Sequence, residues 1–184
     1  MKKLFESPAF ALLLAVIVVI ATPLLSTKFR FGRKCAAISD VFYTESGDTA
    51  PVAGELRNFC AAAERIALTA KQNDVPDAEE TLSNVDYLRN MLYLQSDNFS
   101  VMKSVYKDLL SSTFSLEAAL AKMELSEAES ETLASAQHDA AAAKAAIDAS
   151  SFNSTVHSFL KRYQKFPTPT LAGMVGVNMP CAFD

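Results

Sequence analysis

The sequence predicts an all-α protein in which an N-terminal transmembrane helix is followed by an antiparallel, four-helix-type bundle. Three observations lead to this prediction. Residues 8–25 form an uncharged apolar run, apolar residues further along recur at alternating steps of three and four, and no sustained period-two run occurs. With 184 residues, 50% of them hydrophobic, and with five glycines and seven prolines, the composition is typical of one helical domain rather than a disordered or turn-rich chain.

The first predicted element is a membrane anchor. The run from Pro8 to Leu25 has 18 residues, and Thr22 is its only polar side chain. As a helix it would be about 27 Å long, close to the roughly 30 Å of a bilayer core. A cleaved signal peptide is the alternative, because Lys2 and Lys3 form a basic start, but no Ala-x-Ala motif follows. We therefore predict an uncleaved anchor over residues 1–27, with residues 8–25 in contact with the lipid bilayer.

Charge is distributed unevenly along the chain. Because the whole chain carries −4 and residues 1–34 carry +5, the remaining 150 residues carry −9. An acidic body repels phosphate backbones, which argues against nucleic acid as a partner. Four basic residues follow the anchor and two precede it, so the positive-inside bias favours a body on the cytoplasmic face by a small margin.

The bundle is predicted over residues 28–166 from apolar stripes at helical spacing. A first helix just outside the membrane is marked by Phe31, Cys35, Ile38 and Phe42. The following helices are predicted at about 51–72, 82–92, 99–123 and 127–165. These narrow stripes with short connections are typical of antiparallel helices packed at coiled-coil-like angles.

Turn-forming and helix-capping residues occur at the helix boundaries that the apolar stripes predict. The segment 46–51 is predicted to be a turn with Pro51 at a helix start. Asp77 with Glu80, and Ser126 with Glu129, have the spacing of capping boxes. Segment 96–98 is predicted to interrupt or kink the helical structure before Phe99. Pro167 is predicted to end the last helix near Phe166.

Catalytic chemistry is not indicated. Neither His138 nor His157 has an acidic, histidine or cysteine residue three or four positions away, so neither shares a helix face with a second metal ligand. Glu-x-x-His motifs, phosphate-binding glycine loops and nucleophile elbows do not occur. We predict no catalytic, cofactor-binding or metal-binding residues, and both histidines are expected at the surface.

Cys35 and Cys60 are placed symmetrically about the predicted turn at 46–51. If the flanking helices form an antiparallel hairpin, each cysteine is about 18 Å from the turn and the two lie at one level. Two interpretations stay open: two small buried hydrophobic side chains, which is preferred, or a disulfide in an oxidising compartment.

The C-terminal region carries a family resemblance. Phe152-Asn153, Phe166-Pro167 and Ala172-Gly173, with Phe183-Asp184 near the end, resemble the closing motif of the LemA family. The resemblance implies a bacterial membrane protein with one N-terminal membrane helix and an antiparallel bundle, and it transfers no catalytic residue. Residues 167–184 are predicted to be an apolar tail that folds back on the bundle or lies at the bilayer surface.

The functional hypotheses follow from this architecture. The first is a membrane-anchored scaffold or adaptor of LemA type, not an enzyme, which acts through an unidentified protein partner. The alternative is an envelope sensory or ligand-binding input bundle that acts through a partner. A homo-oligomer is compatible with either hypothesis, and the bacterial cell membrane is the expected location.

Overall fold

The computed structural model describes residues 8–44, 50–163, 165, 168–174 and 176–184. Within these ranges the chain forms seven α-helices and no β-strand, which confirms the predicted all-α class. The helices are α1 (Pro8–Tyr43), α2 (Val52–Gln72), α3 (Ala78–Tyr93), α4 (Phe99–Leu120), α5 (Glu127–Asp148), α6 (Ser151–Tyr163) and α7 (Thr168–Met174).

Within helix α1, the stretch Ala15–Tyr43 is long and apolar enough to cross a membrane, judged by length and composition. In the most apolar 18-residue stretch of Ala15–Tyr43, only 7% of the residues are buried inside the molecule, which distinguishes it from a core helix. We predicted the anchor and the helix marked by Phe31 and Phe42 as two elements. The structure joins them into one continuous helix of 36 residues.

Helices α2 to α5 form the four-helix part of the molecule. Helix α2 contacts α3, α4 and α5, and it packs against α5 along most of its length. Small side chains permit this close approach, because Ala63, Ala136 and Ala143 are almost fully buried. Ion pairs join the outer faces, with Arg65 of α2 bonded to Asp139 of α5, and Glu64 bonded to Arg89 of α3 at 2.6 Å.

The core consists of two clusters at opposite ends of the four-helix part. The first contains the start of α2, the end of α5 and the helices α1 and α6, with Phe42 and Phe152 among its fully buried rings. The second contains the end of α2, the start of α3, the end of α4 and the start of α5. No residue of α1 or α6 belongs to this second cluster within the described chain. The molecule therefore has one end near the apolar helix and one end away from it.

One predicted helix is divided in the structure. The sequence predicted a helix over about 127–165, but α5 ends at Asp148 and α6 begins at Ser151. Side-chain bonds to the backbone replace the helical ladder here, because the Ser150 hydroxyl accepts from the Phe152 N–H and the Asn153 amide donates to the Ile147 carbonyl. The predicted turn at 46–51 and the predicted helix end at Phe166 and Pro167 fall mainly on residues 45–49 and 166–167, outside the described residues.

The two predicted capping boxes have different outcomes. At α5 the Ser126 hydroxyl and the Glu129 carboxylate bond reciprocally to each other's backbone N–H, as predicted. At α3 the prediction is wrong, because Asp77 adopts a left-handed conformation with φ of 67° and its side chain caps nothing. Its backbone carbonyl instead accepts hydrogen bonds from the N–H and hydroxyl of Thr81.

Candidate functional site

The environment of helix α1 changes completely along its length. Toward the N-terminus its apolar side chains face outward, and Leu12 and Val19 are 70% and 72% exposed. From Phe31 onward one face is buried, and Phe31 and Phe42 are 4% and 0% exposed. Burial of apolar surface is strongly favourable, so an apolar surrounding would stabilise the outward-facing half, whereas the other half belongs to the protein core.

Aromatic contacts join α1 to α6 in antiparallel fashion. The rings of Phe42 and Phe152 lie 5.2 Å apart at one end, and those of Phe31 and Tyr163 lie 5.6 Å apart at the other. Lys34 donates a hydrogen bond of 2.6 Å to the Tyr163 hydroxyl, which lowers the pKa of Tyr163. Because α6 runs back along α1, its C-terminal end lies near the outward-facing half of α1.

Asn153 connects three parts of the chain. Its side chain is buried, donates to the Ile147 carbonyl at 2.8 Å and accepts from the Phe183 backbone N–H at 2.9 Å. The Asn153 amide group on α6 thus forms hydrogen bonds with a backbone carbonyl at the end of α5 and with a backbone N–H of the C-terminal segment. The sequence pattern did not predict this role, because the apolar stripe continues across the break between α5 and α6 and the burial of Asn153 depends on tertiary packing.

The C-terminal segment is part of the bundle. Phe183 is 2% exposed and packs against Phe42, Tyr106 and Phe152, so residues 176–184 complete the first core cluster. At the protein surface, His157 Nε2 lies 2.7 Å from the Asp184 carboxylate, a hydrogen-bonding contact that holds the end of the same segment. The predicted fold-back of the apolar tail is therefore observed for these residues, and the tail is not separate from the bundle.

The residues of the LemA-like motif are only partly brought together. Phe152, Asn153 and Ala172 are buried in the first cluster or beside it, whereas Gly173 is exposed. Phe166 and Pro167 lie outside the described residues. Phe152 and Ala172 therefore pack in the first core cluster.

Cys35 and Cys60 are free thiols with different neighbours. Cys35, on α1, lines one groove together with Asp97 and Gly176. Cys60 is fully buried near Glu64 and Arg89, and burial raises the pKa of its thiol to about 12. Helix α1 contacts α2, α6 and α7, and the structure holds Cys35 and Cys60 as free thiols.

The histidines behave as surface residues. His138 is exposed on α5, and His157 is exposed apart from its contact with Asp184, which the sequence did not indicate because the two are 27 residues apart. Among the residues that the structure describes, no group of three or more His, Cys, Asp or Glu side chains could hold a metal ion.

A groove of about 250 Å³ lies between α4 and α5, over Phe59 of α2. Phe114 is 53% exposed at this groove, and Lys144 and Glu117 also line it. Partial burial raises the pKa of the Glu117 carboxyl. The groove combines apolar lining residues with one acidic and one basic side chain.

Comparison of the chain with protein-family models, with curated proteins and with solved structures finds no match.

Proposed function

We propose that the chain is a single-pass membrane protein whose helical bundle serves as a scaffold or adaptor of LemA type, without catalytic activity. The observation that carries the proposal is helix α1, which has exposed apolar side chains in one half and core side chains in the other. Such a helix joins the bundle to a bilayer without a flexible linker between them.

The use of the charged side chains supports a non-catalytic role. Glu64 bonds to Arg89, Arg65 to Asp139 and Lys71 to Glu79, so these groups connect neighbouring helices. Perturbed titratable groups that converge in a cleft are the usual mark of an active site. Here all three ion pairs are about one-third exposed or more and link neighbouring helices at the surface, and the Arg65–Asp139 pair lines an open cleft between α2 and α5.

The surface offers contacts for an unidentified protein partner. Tyr93 and Leu94, at the end of α3, are 82% and 66% exposed, and exposed aromatic groups are enriched at protein interfaces. A photo-crosslinking amino acid at Tyr93 in native membranes should form a discrete protein adduct, while the same group at exposed Ser130 should not. Equal labelling from both positions would contradict an adaptor role for this surface.

The LemA resemblance supports a location in a bacterial cell membrane, and helix α1 supports membrane association. The basic residues after the span favour a cytoplasmic body. Labelling of exposed lysines by an impermeant reagent in intact cells should leave Lys122 and Lys71 unmodified, and modification there before lysis would place the body outside.

Ligand sensing through a partner is the second candidate, and the α4–α5 groove favours it. A ligand in this groove should raise the melting temperature of the intact chain in detergent. Phe114→Ala should remove that shift, while Phe29→Ala, which also changes an exposed ring, should leave it unchanged.

A further inference from the structure

The end of the molecule next to the predicted span is strongly basic. Exposed basic side chains come from α1, from the end of α6 and from the residue two positions after it: Lys28, Arg30, Arg33, Lys34, Lys161, Arg162 and Lys165. Residues 26–39 and 157–177 together contain these seven and no aspartate or glutamate. We call these seven side chains the basic end.

Packing brings the two groups of basic residues to one level. Phe31 contacts Phe159 and Tyr163, Lys34 bonds to the Tyr163 hydroxyl, and the Arg162 guanidinium lies 5.7 Å from the centre of the Tyr163 ring. This level is about 9 to 14 Å along the helix axis beyond Leu25. The headgroup layer extends roughly 5 to 8 Å outward from the hydrocarbon core, within reach of long basic side chains.

Exposed apolar groups accompany the basic end. Phe29 on α1 and Met174 on α7 are 64% and 68% exposed. Helix α7 packs against α1, and Val177 just after it lies 4.0 Å from the position that a Cβ would take at Gly32. Apolar side chains among basic ones are typical of protein surfaces that lie at a membrane interface.

The opposite end of the four-helix part is acidic. The α2–α3 connection and the first turn of α3 carry Asp74, Asp77, Glu79 and Glu80, and the α4–α5 connection and the first turns of α5 carry Glu124, Glu127, Glu129 and Glu131. An anionic surface attracts the basic end and repels the acidic end, so both contributions favour the same orientation of the bundle.

We propose that the basic end binds the anionic phospholipid headgroups of the leaflet through which α1 emerges, and that it holds the bundle upright on that surface. The proposal rests on the membrane anchoring proposed above and adds the lipid class. Contacts from Lys161, Arg162 and Lys165 distinguish it from the charge bias that flanks any membrane helix, because these residues come from a distant part of the sequence.

The test uses the full chain in phosphatidylcholine vesicles that contain phosphatidylglycerol. The protein has no tryptophan, so Met174→Trp places a single fluorophore at the basic end. Its quenching is compared between vesicles in which only the phosphatidylglycerol is brominated and vesicles in which an equal amount of phosphatidylcholine is brominated. We expect stronger quenching when the phosphatidylglycerol is the brominated lipid. The selectivity is the ratio of quenching by brominated phosphatidylglycerol to quenching by brominated phosphatidylcholine, and each basic side chain paired with an anionic headgroup should contribute a factor of about five to it.

Two controls separate the basic end from the rest of the protein. Met123→Trp, at the acidic end, should be quenched by neither lipid. In the Met174→Trp background, Lys161→Glu with Arg162→Glu should clearly lower the selectivity, and the matched pair Lys71→Glu with Lys122→Glu should leave it unchanged. High salt should also reduce the selectivity.

The outcomes distinguish this proposal from the proposed anchoring. Equal quenching by both brominated lipids, or no quenching of Trp at position 174 in chains that float with the vesicles, would overturn lipid binding by the basic end and leave the anchor intact. Failure of the chain to float with any vesicle would overturn the membrane anchoring itself. The lipid comparison needs no charge substitution, so misfolding of the glutamate variants would not affect it.

Discussion

At the residue scale, Asn153 shows how one polar side chain can define a tertiary arrangement. It lies at the point where α5 and α6 separate, and it bonds to α5 on one side and to the C-terminal segment on the other. A buried donor or acceptor without a partner is costly, so these two bonds favour one placement of the C-terminal segment over alternatives.

Asn153→Ala should lower the free energy of unfolding by about 2 kcal/mol or more, because it leaves the Phe183 N–H and the Ile147 carbonyl without this partner. Urea denaturation of the intact chain in detergent measures this change. Asn58→Ala, which removes an exposed amide that bonds only to the Glu55 carboxylate, is the matched control. Equal stability of the two variants would show that Asn153 does not join the segments.

Cys60 provides a second prediction at this scale. Burial raises the pKa of its thiol to about 12, and the thiolate is the reactive form. Alkylation of the native protein at pH 8 should therefore spare Cys60, whereas unfolding without reductant should expose all three cysteines to full labelling. Persistent protection of both Cys35 and Cys60 until reductant is added would instead show the disulfide that the sequence left open.

At the scale of the elements, close packing of α2 on α5 depends on small side chains. Ala136→Leu introduces volume where Ala136 is fully buried among Ile66, Ala67 and Ala70, and it should cost about 1–3 kcal/mol. Ala134→Leu places the same side chain on the exposed face of α5 and should be nearly neutral. Thermal or urea denaturation measures the free energy of unfolding of both variants. An equal loss of that free energy in both would contradict this packing.

The α5 capping box predicts a dependence of stability on pH. Hydrogen bonds from the Ser126 hydroxyl and backbone and from the Asn73 amide lower the pKa of Glu129 below its ordinary value. Because its folded pKa is the lower one, its contribution to stability is present at neutral pH and is lost as pH falls through that pKa. Glu129→Gln should thus be less stable than the native chain at pH 7 and approach it in acid. Glu131→Gln, an exposed carboxylate on the same helix, should change stability little at either pH.

Apolar periodicity predicted most helices well, because each stripe reports one buried face. The predicted helices at 51–72 and 99–123 correspond to α2 and α4 within three residues at each end. The division of 127–165 was missed because the apolar stripe continues across it, and only the local bonds of Ser150 and Asn153 end the helix. The bond between His157 and Asp184 could not be predicted, since it depends on where the C-terminal segment folds.

At the scale of the whole molecule, α1 and the four-helix part are joined through the first core cluster. Phe42, Phe99, Phe152 and Phe183 interlock there, and aromatic contacts of this kind contribute about 0.5–1.5 kcal/mol each beyond their buried area. An anchor fixed by such a cluster transmits its orientation to the bundle. If α1 spans the membrane as proposed, the basic and acidic ends lie at defined distances from the bilayer, which suits the proposed scaffold role.

The most direct test of this account is the identity of the N-terminal region in chains that resist extraction from membranes at alkaline pH. We predict that the extraction-resistant protein contains residues 8–25, detected by mass spectrometry of its N-terminal peptides. A membrane-released chain whose N-terminus lies near residue 27 or later would show that the apolar half of α1 is a cleaved signal and would contradict the membrane anchor.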